Sequence, residues 1–563
     1  MSISNALAID IIFGITAHFW FNKHEPSVSW SLFILVALLP GPTAMLLCEH
    51  WPPFRAIPVA YLLFLTTLFA SISVYRVSPI HPLAKYPGPL FCKVSQLWTV
   101  WVASGGKLHH YRRILHDVYG PIIRIGPNEL SIADKDLIPA ILGTQGMPKG
   151  PLFIGRRLTP TSDQNMEKYG LISSRDSQRH AQLRKAWNKA FANSPLKDYE
   201  ELMMHRALQL IEELNGLCRQ QSDGIGHVDI AHWISYFSFD FMGDMAFGGG
   251  FELMHNGDKD GLWHGMEAAL FYQSMCQHIP WFCPILRRLP FLGTPMRAFG
   301  NFVFQRAQTR FTQDLKQKDL FYHLTEAAIS DSGNSPFPLI VSNAGLAIIA
   351  GSDTTASVLS NILYYLLSNP AEYIRLRDEV DTAFPPSDMT SLSAEMFLEM
   401  PFLNAVINEV LRLQPPVPTS LQRAPPLGSG GKSIGSHYIK EGTAIQVSPY
   451  VLHHDSRYFS PDPDRFWPDR WLKASNANTS DAVICDRSAF IPFSFGPANC
   501  AGKPLAVLEL KSLVSLLVMH FEMSFDDRFD PSSWERNLKD HFVLGKGALM
   551  VKLTMRERVN IVR

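Results

Sequence analysis

A segment near the carboxyl end constrains the possible folds of this chain more than any other feature. Residues 493–502 read FSFGPANCAG, so a turn-forming Gly-Pro pair precedes Cys500, and a helical pattern begins directly after it. This order places the sulfur of Cys500 at the N-terminus of a helix. Backbone N–H groups and the helix dipole favour a thiolate over a thiol at such a position. The sequence therefore predicts a cysteine thiolate that can bind a metal.

The residues around Cys500 fit this interpretation. Gly496 supplies the turn, Gly502 would let a backbone N–H approach the sulfur without a Cβ clash, and Phe493 would pack beside the sulfur and exclude water. A single cysteine at a loop–helix junction is usually a structural residue, but the complete FxxGxxxCxG spacing argues against that alternative. The seven cysteines are scattered and include no CxxC pair. This usage predicts a reducing compartment, without a disulfide framework or a zinc finger.

With this spacing in place, residues 80–563 resemble the cytochrome P-450 family. The HPLAKYPGP hinge and the GPANCAGK form of the cysteine loop are similar to those of fungal microsomal members. The resemblance implies a mainly α fold with a small β-rich lobe, and haem (heme b) with Cys500 as the axial thiolate ligand of its iron. Many members carry Arg or His where this chain has Ala498, to pair with a haem propionate. We therefore expect the propionate partners to come from elsewhere.

A second motif lies in the segment EVLR. It places Glu409 and Arg412 three residues apart on one helix face, a contact worth only about 0.2–0.5 kcal/mol by itself. The resemblance implies a buried network with a third residue, from a downstream Pro-x-Arg-aromatic motif. Arg465 and Arg470 both stand in such motifs. The aromatic Phe466, two positions before the second motif, favours Arg470.

A third motif, AGSDTT at residues 350–355, falls within a long predicted helix. Glycine is a poor helix former, and Ser and Thr side chains compete for backbone carbonyls. We therefore predict a local opening of the helix that a ligand uses. The resemblance implies that this ligand is dioxygen, with Thr354 as its hydrogen-bond donor and Asp353 as the proton relay. In isolation, the segment would be equally consistent with a tolerated polar patch.

Two upstream residues and one downstream residue are candidates for the haem propionates. His180 and Arg184 lie four residues apart on one predicted helical face. The resemblance implies that this pair binds a propionate, with His180 in place of the usual Trp; Trp187 has no arginine at the matching distance. Arg423 resembles a further propionate partner. A solvated basic face is the alternative interpretation of the upstream segment.

The resemblance also indicates residues of the substrate pocket, which are mostly small or apolar: Ala350, Val417, Thr419 and Phe542. They favour an apolar small molecule, such as a terpenoid, fatty or aromatic compound, and a fungal secondary-metabolite pathway. The expected reaction inserts one atom of O2 into this substrate. An enzyme that rearranges hydroperoxides and a haem sensor are the alternatives. Neither alternative needs Asp353 and Thr354, so the presence of both residues favours the monooxygenase.

Electrons are expected from NADPH through a separate NADPH–cytochrome reductase. Only 63 residues follow Cys500, and no GxGxxG fingerprint follows a predicted strand. A flavin domain needs on the order of 100–200 residues. The formal net charge is zero, so no general field favours nucleic acid as a partner.

The apolar surplus of the composition lies at the amino end. Charged residues make up only 18% of the chain, and runs at 6–21, 31–48 and 56–74 contain almost none. These lengths approach what crosses a bilayer core of roughly 30 Å. A cleaved signal peptide is the weaker alternative, because no basic segment precedes the first run and no small-residue cleavage site follows it.

These patterns divide the chain into three parts. We predict a membrane anchor with up to three transmembrane helices, a proline-rich hinge and a haem-thiolate catalytic domain, over residues 1–75, 76–90 and 91–563. The catalytic domain is expected on the cytosolic face of the endoplasmic reticulum, because its cysteines are unpaired and its reductant is cytosolic. Within it, helices are predicted at 199–218, 338–368, 371–383, 395–413 and 506–520, strands near 122–132, 444–447 and 549–553, and a surface loop at 473–481. Adjacent histidines at 109–110 and 453–454 are not expected to chelate a metal, because neighbours in a strand point to opposite faces.

Overall fold

A computed structural model describes most of the chain. The described residues are 2–23, 34–156, 168–249, 251–259, 261–282, 294–312, 317–332, 337–384, 396–397, 400–473 and 483–557. The surface loop predicted at 473–481 lies outside them apart from Lys473, which ends a helix.

Helices account for most of the described residues. In chain order they are α1 (Ile3–Lys23), α2 (Gly41–Cys48), α3 (Pro53–Val77), α4 (Leu90–Val94), α5 (Gln96–Ser104), α6 (Leu108–Tyr119), α7 (Ile138–Leu142), α8 (Leu152–Gly155), α9 (Ser177–Ala190), α10 (Asn193–Arg219), α11 (Ile230–Phe247), α12 (Leu253–Asn256), α13 (Leu262–Cys276), α14 (Thr294–Thr312), α15 (Leu320–Ser332), α16 (Phe337–Ser368), α17 (Pro370–Ala383), α18 (Pro401–Leu413), α19 (Pro449–His453), α20 (Asp469–Lys473), α21 (Lys503–His520) and α22 (Ser533–Asn537).

The strands are short. They are β1 (Ile122–Gly126), β2 (Glu129–Ile132), β3 (Ile225–Asp229), β4 (Leu421–Arg423), β5 (Gly431–Ile434), β6 (His437–Lys440), β7 (Ala444–Val447), β8 (Phe459–Ser460), β9 (Ile484–Cys485), β10 (Phe521–Phe525), β11 (Lys539–His541), β12 (Val543–Gly545) and β13 (Met550–Met555).

The predicted β-rich lobe is a four-stranded sheet in the order β1-β2-β7-β4. Its early and late segments meet where β2 pairs in parallel with β7, in the register Glu129 with Ala444. The late strand predicted near 549–553 belongs elsewhere: as β13 it lies between β10 and β3 in a separate sheet. The strand itself was predicted, but its partners are set by long-range packing that a single strand's sequence does not encode.

Helix α16 forms the centre of the catalytic domain. It packs against α11 along much of its length and also contacts α17, α18 and α21. Most of its side chains are buried, so its length and apolar composition reflect a core position and not a membrane span. The helix predicted from residue 395 begins instead at Pro401, because Met400 has extended backbone and proline favours the first helical position.

The amino-terminal segments form two long apolar helices. α1 and α3 are long and apolar enough to cross a membrane, and they pack together through Ala17, Phe64 and Leu68. The run predicted at 31–48 is different. Its described part consists of a π-helical turn, Ile34–Leu38, and the short α2. These 15 residues rise only about 22 Å, less than a bilayer core.

The predicted hinge is fastened to the β-rich lobe. The Arg124 backbone N–H donates to Pro87 O at 2.7 Å, and a Cβ on Gly88 would lie 2.2 Å from the Arg124 carbonyl oxygen. The Arg124 side chain donates to Arg76 O at 2.8 Å. Leu83 is buried in the small core beneath the sheet. The hinge is therefore a docked segment, and proline stiffness is only part of its rigidity.

Candidate active site

The cysteine loop is closed by its own backbone. The Cys500 N–H donates to Phe493 O at 2.9 Å, across the 3-10 turn Gly496–Ala498. Gly496 has φ 73°, and a Cβ there would lie 2.2 Å from Leu142 O. Both the conformation and the space therefore require glycine. α21 begins at Lys503, three residues after the sulfur, as the sequence predicts.

Part of the surface of Cys500 is exposed to solvent. Burial of the remainder raises its pKa, whereas the backbone N–H groups of Gly502 and Lys503 and the Arg184 guanidinium act in the opposite direction. The helix-start donors that the sequence predicts are present, but by themselves they do not outweigh burial. Binding of a metal ion completes the deprotonation of a coordinating thiol.

Gly502 does not have the steric role expected of it. Its φ is −80°, and a Cβ would meet only the ring of Phe191 at 3.7 Å, an ordinary contact. Its contribution to the sulfur is the backbone N–H, which any residue except proline would supply. Phe493 lies beside the loop, with the Lys503 ammonium 5.6 Å from its ring centroid.

Four basic residues from three segments gather near this loop, and we call them the basic cluster: Lys149, His180, Arg184 and Arg423. Arg184 donates to the Asn499 backbone and, at 2.7 Å, to Asn499 Oδ1, so α9 is tied to the residue before the cysteine. His180 and Arg423 are buried, and Arg423 forms a β-bridge with Lys149. The structure thus brings together the three residues that the sequence indicated.

Lys149 was not anticipated from the sequence. Its ammonium donates to Leu171 O at 2.8 Å and to Ile172 O at 3.1 Å. Burial lowers its pKa well below the usual value, and the nearby Arg423, Arg156 and Arg184 lower it further. The only sequence signal is a lysine in the segment MPKGP, and its position becomes meaningful once the segment pairs with Arg423.

Within the described part of the chain, the basic cluster has no acidic partner at ion-pair distance. Burial lowers the pKa of His180 to about 3, followed by the effects of Lys149, Arg184 and Arg423. Across the described ranges, no ion pair within 4.0 Å reaches Lys149, Arg184 or Arg423. A buried cation without a counterion is costly, so this cluster fits a bound group that carries carboxylates.

The predicted oxygen-activating pair lies on α16. Asp353 and Thr354 are partly open, next to an exposed Ala350, in a helix whose flanking residues are buried. Burial raises the pKa of Asp353, and Lys546 acts in the opposite direction. The Thr354 hydroxyl donates to Ala350 O at 2.7 Å. An accessible polar patch in the middle of a buried helix is what a reaction pocket requires.

The predicted local opening of this helix is wrong for this structure. α16 is continuous from Phe337 to Ser368, because Ser and Thr hydroxyls bond back to carbonyls four residues earlier without breaking it. Gly351 has a packing role instead. A Cβ there would lie 2.4 Å from the Met242 sulfur, so the glycine allows α11 to approach α16 closely.

The structure places Arg470, and not Arg465, on Glu409. Glu409 accepts from Arg412 Nη2 at 2.8 Å and from Arg470 Nε at 3.2 Å, and all three side chains are fully buried. It also accepts from the Trp471 indole at 2.9 Å. Arg465 is exposed and contributes only its backbone oxygen, which accepts from Arg412 at 3.2 Å.

The β11–β12 hairpin brings the remaining pocket candidates toward α16. Leu544 N–H donates to Pro416 O at 2.9 Å, beside Val417, and Ser357 on α16 donates to Leu544 O at 2.6 Å. Thr419 is buried and donates to Asp540 Oδ2 at 2.8 Å. Phe542, at the hairpin tip, has φ 80°. No hydrogen bond or ion pair among the described residues joins the pair at 353–354 to the cysteine loop.

The described side chains around Cys500 do not form a metal site by themselves. Among the described residues, no group of three or more His, Cys, Asp and Glu is arranged to hold a metal ion. The iron would therefore arrive in a macrocycle that supplies its other ligands. Contrary to the expectation from the sequence, the paired histidines do not lie in strands: both pairs lie on or beside helices, and the rings of His109 and His110 have centroids 4.2 Å apart.

Known proteins are similar in sequence to this chain along nearly its whole length. The cytochrome P450 family profile matches residues 84–553. Tryprostatin B 6-hydroxylase of Neosartorya fischeri is 29% identical over 98% of this chain and 98% of its own length. The cytochrome P450 monooxygenases notG' of Aspergillus versicolor and FCK2 of Fusarium pseudograminearum are each 31% identical, over 88% and 87% of this chain and 86% and 85% of their own lengths. The chain therefore belongs to the cytochrome P450 family and is a haem-thiolate monooxygenase.

Proposed function

We propose that this enzyme, anchored in the endoplasmic reticulum, inserts one atom of O2 into a mainly apolar small molecule of fungal secondary metabolism. The other oxygen atom leaves as water. The supporting observation is a partly exposed Cys500 at a helix start, beside a basic cluster that has no counterion among the described residues. Fungal relatives that include a tryprostatin B hydroxylase support the metabolic setting.

Each part of the site has its own task in this proposal. Cys500 would hold the haem iron, and the basic cluster would bind the propionates. When bound, haem supplies the activation of dioxygen. The Thr354 hydroxyl would hold dioxygen by a hydrogen bond, for which it must release Ala350 O. Asp353, whose pKa is raised by burial, would relay protons to it.

The reductase would approach the side of the cysteine loop. Lys185, Lys189 and Lys503 are exposed on α9 and at the start of α21, on either side of the bond between Arg184 and Asn499. An acidic surface on a NADPH–cytochrome reductase is complementary to this group. Turnover should require added reductase, and sustained turnover of the purified chain with NADPH alone would contradict this assignment.

The anchor would place the catalytic domain in the cytosol. α1 and α3 reach across a bilayer core, whereas the described part of the middle run is too short, so we propose two spans. Two spans return the chain to its starting side and place the N-terminus in the cytosol. A third span through residues 31–48 would place it in the lumen.

Protease treatment of sealed microsomes separates these topologies. A tag at the N-terminus should be digested together with the catalytic domain if there are two spans. A protected tag with a digested catalytic domain would instead show three spans. Protection of the catalytic domain itself would contradict the cytosolic orientation.

The central test compares two cysteine variants in microsomes that contain reductase. Cys48 is exposed in the anchor, so Cys48→Ala is the control for Cys500→Ala. We expect Cys48→Ala to keep the carbon-monoxide spectrum of thiolate-ligated haem, and to transfer one labelled oxygen atom from O2 to a member of a terpene and indole-alkaloid panel. Cys500→Ala should lose both properties. A thiolate spectrum in Cys500→Ala would exclude the assignment of this ligand.

A further inference from the structure

Three buried side chains from distant segments carry hydrogen-bond donors without partners. Arg112 on α6, Arg156 after α8 and His278 after α13 are 1%, 5% and 4% exposed. Within the part of the chain that the structure describes, no partner is found for any guanidinium nitrogen of Arg112, for Arg156 Nη2 or for His278 Nδ1. We call these three residues the donor cluster. Buried polar groups are normally bonded, so unpaired ones need an explanation.

The three residues share one electrostatic environment. Burial, followed by Arg112 and Arg156, lowers the pKa of His278 to about 3, so its ring is neutral. Both arginines also act on Asp540, whose pKa burial raises to about 6. Neither arginine has an ion pair within 4.0 Å among the described residues, and Asp540 accepts instead from Thr419. Both guanidinium groups are thus buried near His278 without an ion pair among the described residues; the nearby negative charges that act on them are Asp540 for both and also Glu129 for Arg112.

The donor cluster adjoins the substrate pocket. The guanidinium carbon of Arg156 lies 4.1 Å from the ring centroid of Phe542, at the tip of the β11–β12 hairpin. Arg156 Nε donates to Gln277 Oε1 at 2.9 Å, which fixes the side chain against the segment after α13. Thr419, in the segment that follows α18, bonds Asp540, the carboxyl group on which both arginines act. A molecule in contact with Phe542 would therefore lie beside the Arg156 guanidinium, whose Nη2 has no partner among the described residues.

We propose that the donor cluster binds a hydrogen-bond-accepting oxygen of the substrate, a carboxylate or a carbonyl, and thereby orients an otherwise apolar molecule. This inference rests on the proposed monooxygenase function. Arginine has no acceptor atom, and its planar fork can bind an oxygen group through two parallel bonds. A pure hydrocarbon would leave these donors unpaired, so the cluster discriminates against it.

The natural substrate is not needed for the test. An alkyl-imidazole binds the haem iron through its ring nitrogen and changes the absorption spectrum of the holoenzyme. Three compounds with the same tether carry a carboxylate, a primary amide or a methyl group at the far end, and a series covers graded tether lengths. At one tether length, we expect the acid, the amide or both to bind at least about tenfold more tightly than the alkyl compound. The acid and amide arms show which oxygen group the enzyme prefers.

Two variants and one control assign the effect to the cluster. Arg156→Met should remove the advantage of the oxygen-bearing compounds and leave the alkyl compound's affinity unchanged. Arg156→Lys keeps a charge without the fork, and should retain only part of the advantage if Arg156→Met fails to fold. Arg219, an exposed residue paired with Glu212, provides the control Arg219→Met, which should match the wild type.

The outcomes separate the two proposals. If none of the imidazoles changes the spectrum, the haem assignment itself fails. If the alkyl compound binds as tightly as the acid and the amide at every tether length, the monooxygenase stands and the oxygen-binding site is excluded. Equal weakening of all three compounds by Arg156→Met would likewise overturn the proposal, because it would show a general structural role.

Discussion

The cysteine loop and the substrate pocket are built in opposite ways. The loop is closed by a bond between close neighbours, Cys500 and Phe493, although the distant Arg184 also donates to Asn499. In the pocket, Thr419 bonds Asp540 across 121 positions, and Arg156 bonds Gln277 across another 121. The chemistry common to the family is therefore encoded in continuous motifs, whereas substrate selection depends on how distant segments pack. Variants that test each side should give different phenotypes.

The largest effect is expected for Glu409→Gln, which disrupts the buried network that the sequence motifs encode. This substitution leaves Arg412 and Arg470 buried without their counterion, at a cost of about 3–5 kcal/mol. We expect little or no folded holoprotein, measured as haem absorbance per milligram. Glu522→Gln is the control, because Glu522 is 52% exposed in its pair with Arg377. Equal holoprotein yields from the two variants would contradict the structural role of the network.

Lys149→Met tests the basic cluster. This cluster combines residues that a motif indicates, such as Arg184, with Lys149, whose position depends on the packing of distant segments. This substitution removes a buried cation from the proposed propionate site. The transfer of haem to added apomyoglobin should become about tenfold faster, because one charge-assisted hydrogen bond is lost. Ala498→Arg in the same background should restore much of the retention, because it supplies the cation that many relatives carry at that position. Lys440→Met, at an exposed position on β6, should not change haem loss. Unchanged haem loss in Lys149→Met would contradict the role.

Thr354→Val is expected to affect coupling more than binding. Loss of the hydroxyl should lower product per NADPH severalfold and raise hydrogen peroxide, with haem content unchanged. Ser352→Ala is the matched control, because the Ser352 hydroxyl is buried and bonds Ile348 O at 2.6 Å on the same helix. If both variants uncouple to the same extent, the effect belongs to the helix and not to the Thr354 hydroxyl.

A smaller effect is expected on the pH dependence of stability, which should differ between Glu509 on α21 and Asp540 beside the substrate pocket. Burial raises the pKa of Glu509 on α21 to about 8, from 4.5. Between these values the folded protein binds more protons, so stability falls as the pH rises toward 8. Glu509→Gln should reduce the fall in Tm between about pH 6 and about pH 8, because glutamine does not titrate. Asp540→Asn should change the slope only below about pH 6, because the Asp540 pKa is raised from 3.8 to about 6. Identical profiles for the two variants would contradict these assignments.

How much the sequence could predict follows the same division. Cys500, Glu409 and the choice of Arg470 were accessible because each lies in a short motif with fixed spacing. Lys149 was not, because one lysine in a loop acquires its role only through pairing with Arg423. The role of Gly351 was misread, since the neighbour that requires a glycine, Met242, is more than a hundred positions away.

The amino-terminal runs show the limit of composition. Three apolar stretches were predicted as possible spans, the first of them with Asp10 inside it, yet within the described residues only α1 and α3 form amino-terminal helices long enough to span a bilayer. Proline and glycine in Pro40-Gly41-Pro42 interrupt the middle stretch, since proline removes a helical hydrogen bond. Conversely, α16 has the length and composition of a span but is buried in the catalytic core.

The basic cluster also has a consequence for the amount of protein in the cell. Lys149, Arg184 and Arg423 lie close enough for their charges to oppose one another, so a newly made chain must assemble mutually repelling segments until the anionic cofactor binds. The free energy of cofactor binding is then available to the folded state alone, and it becomes part of the free energy of folding. When haem is scarce, chains should remain incompletely folded and be degraded. The abundance of this enzyme should therefore follow the supply of haem more closely than the level of its messenger RNA.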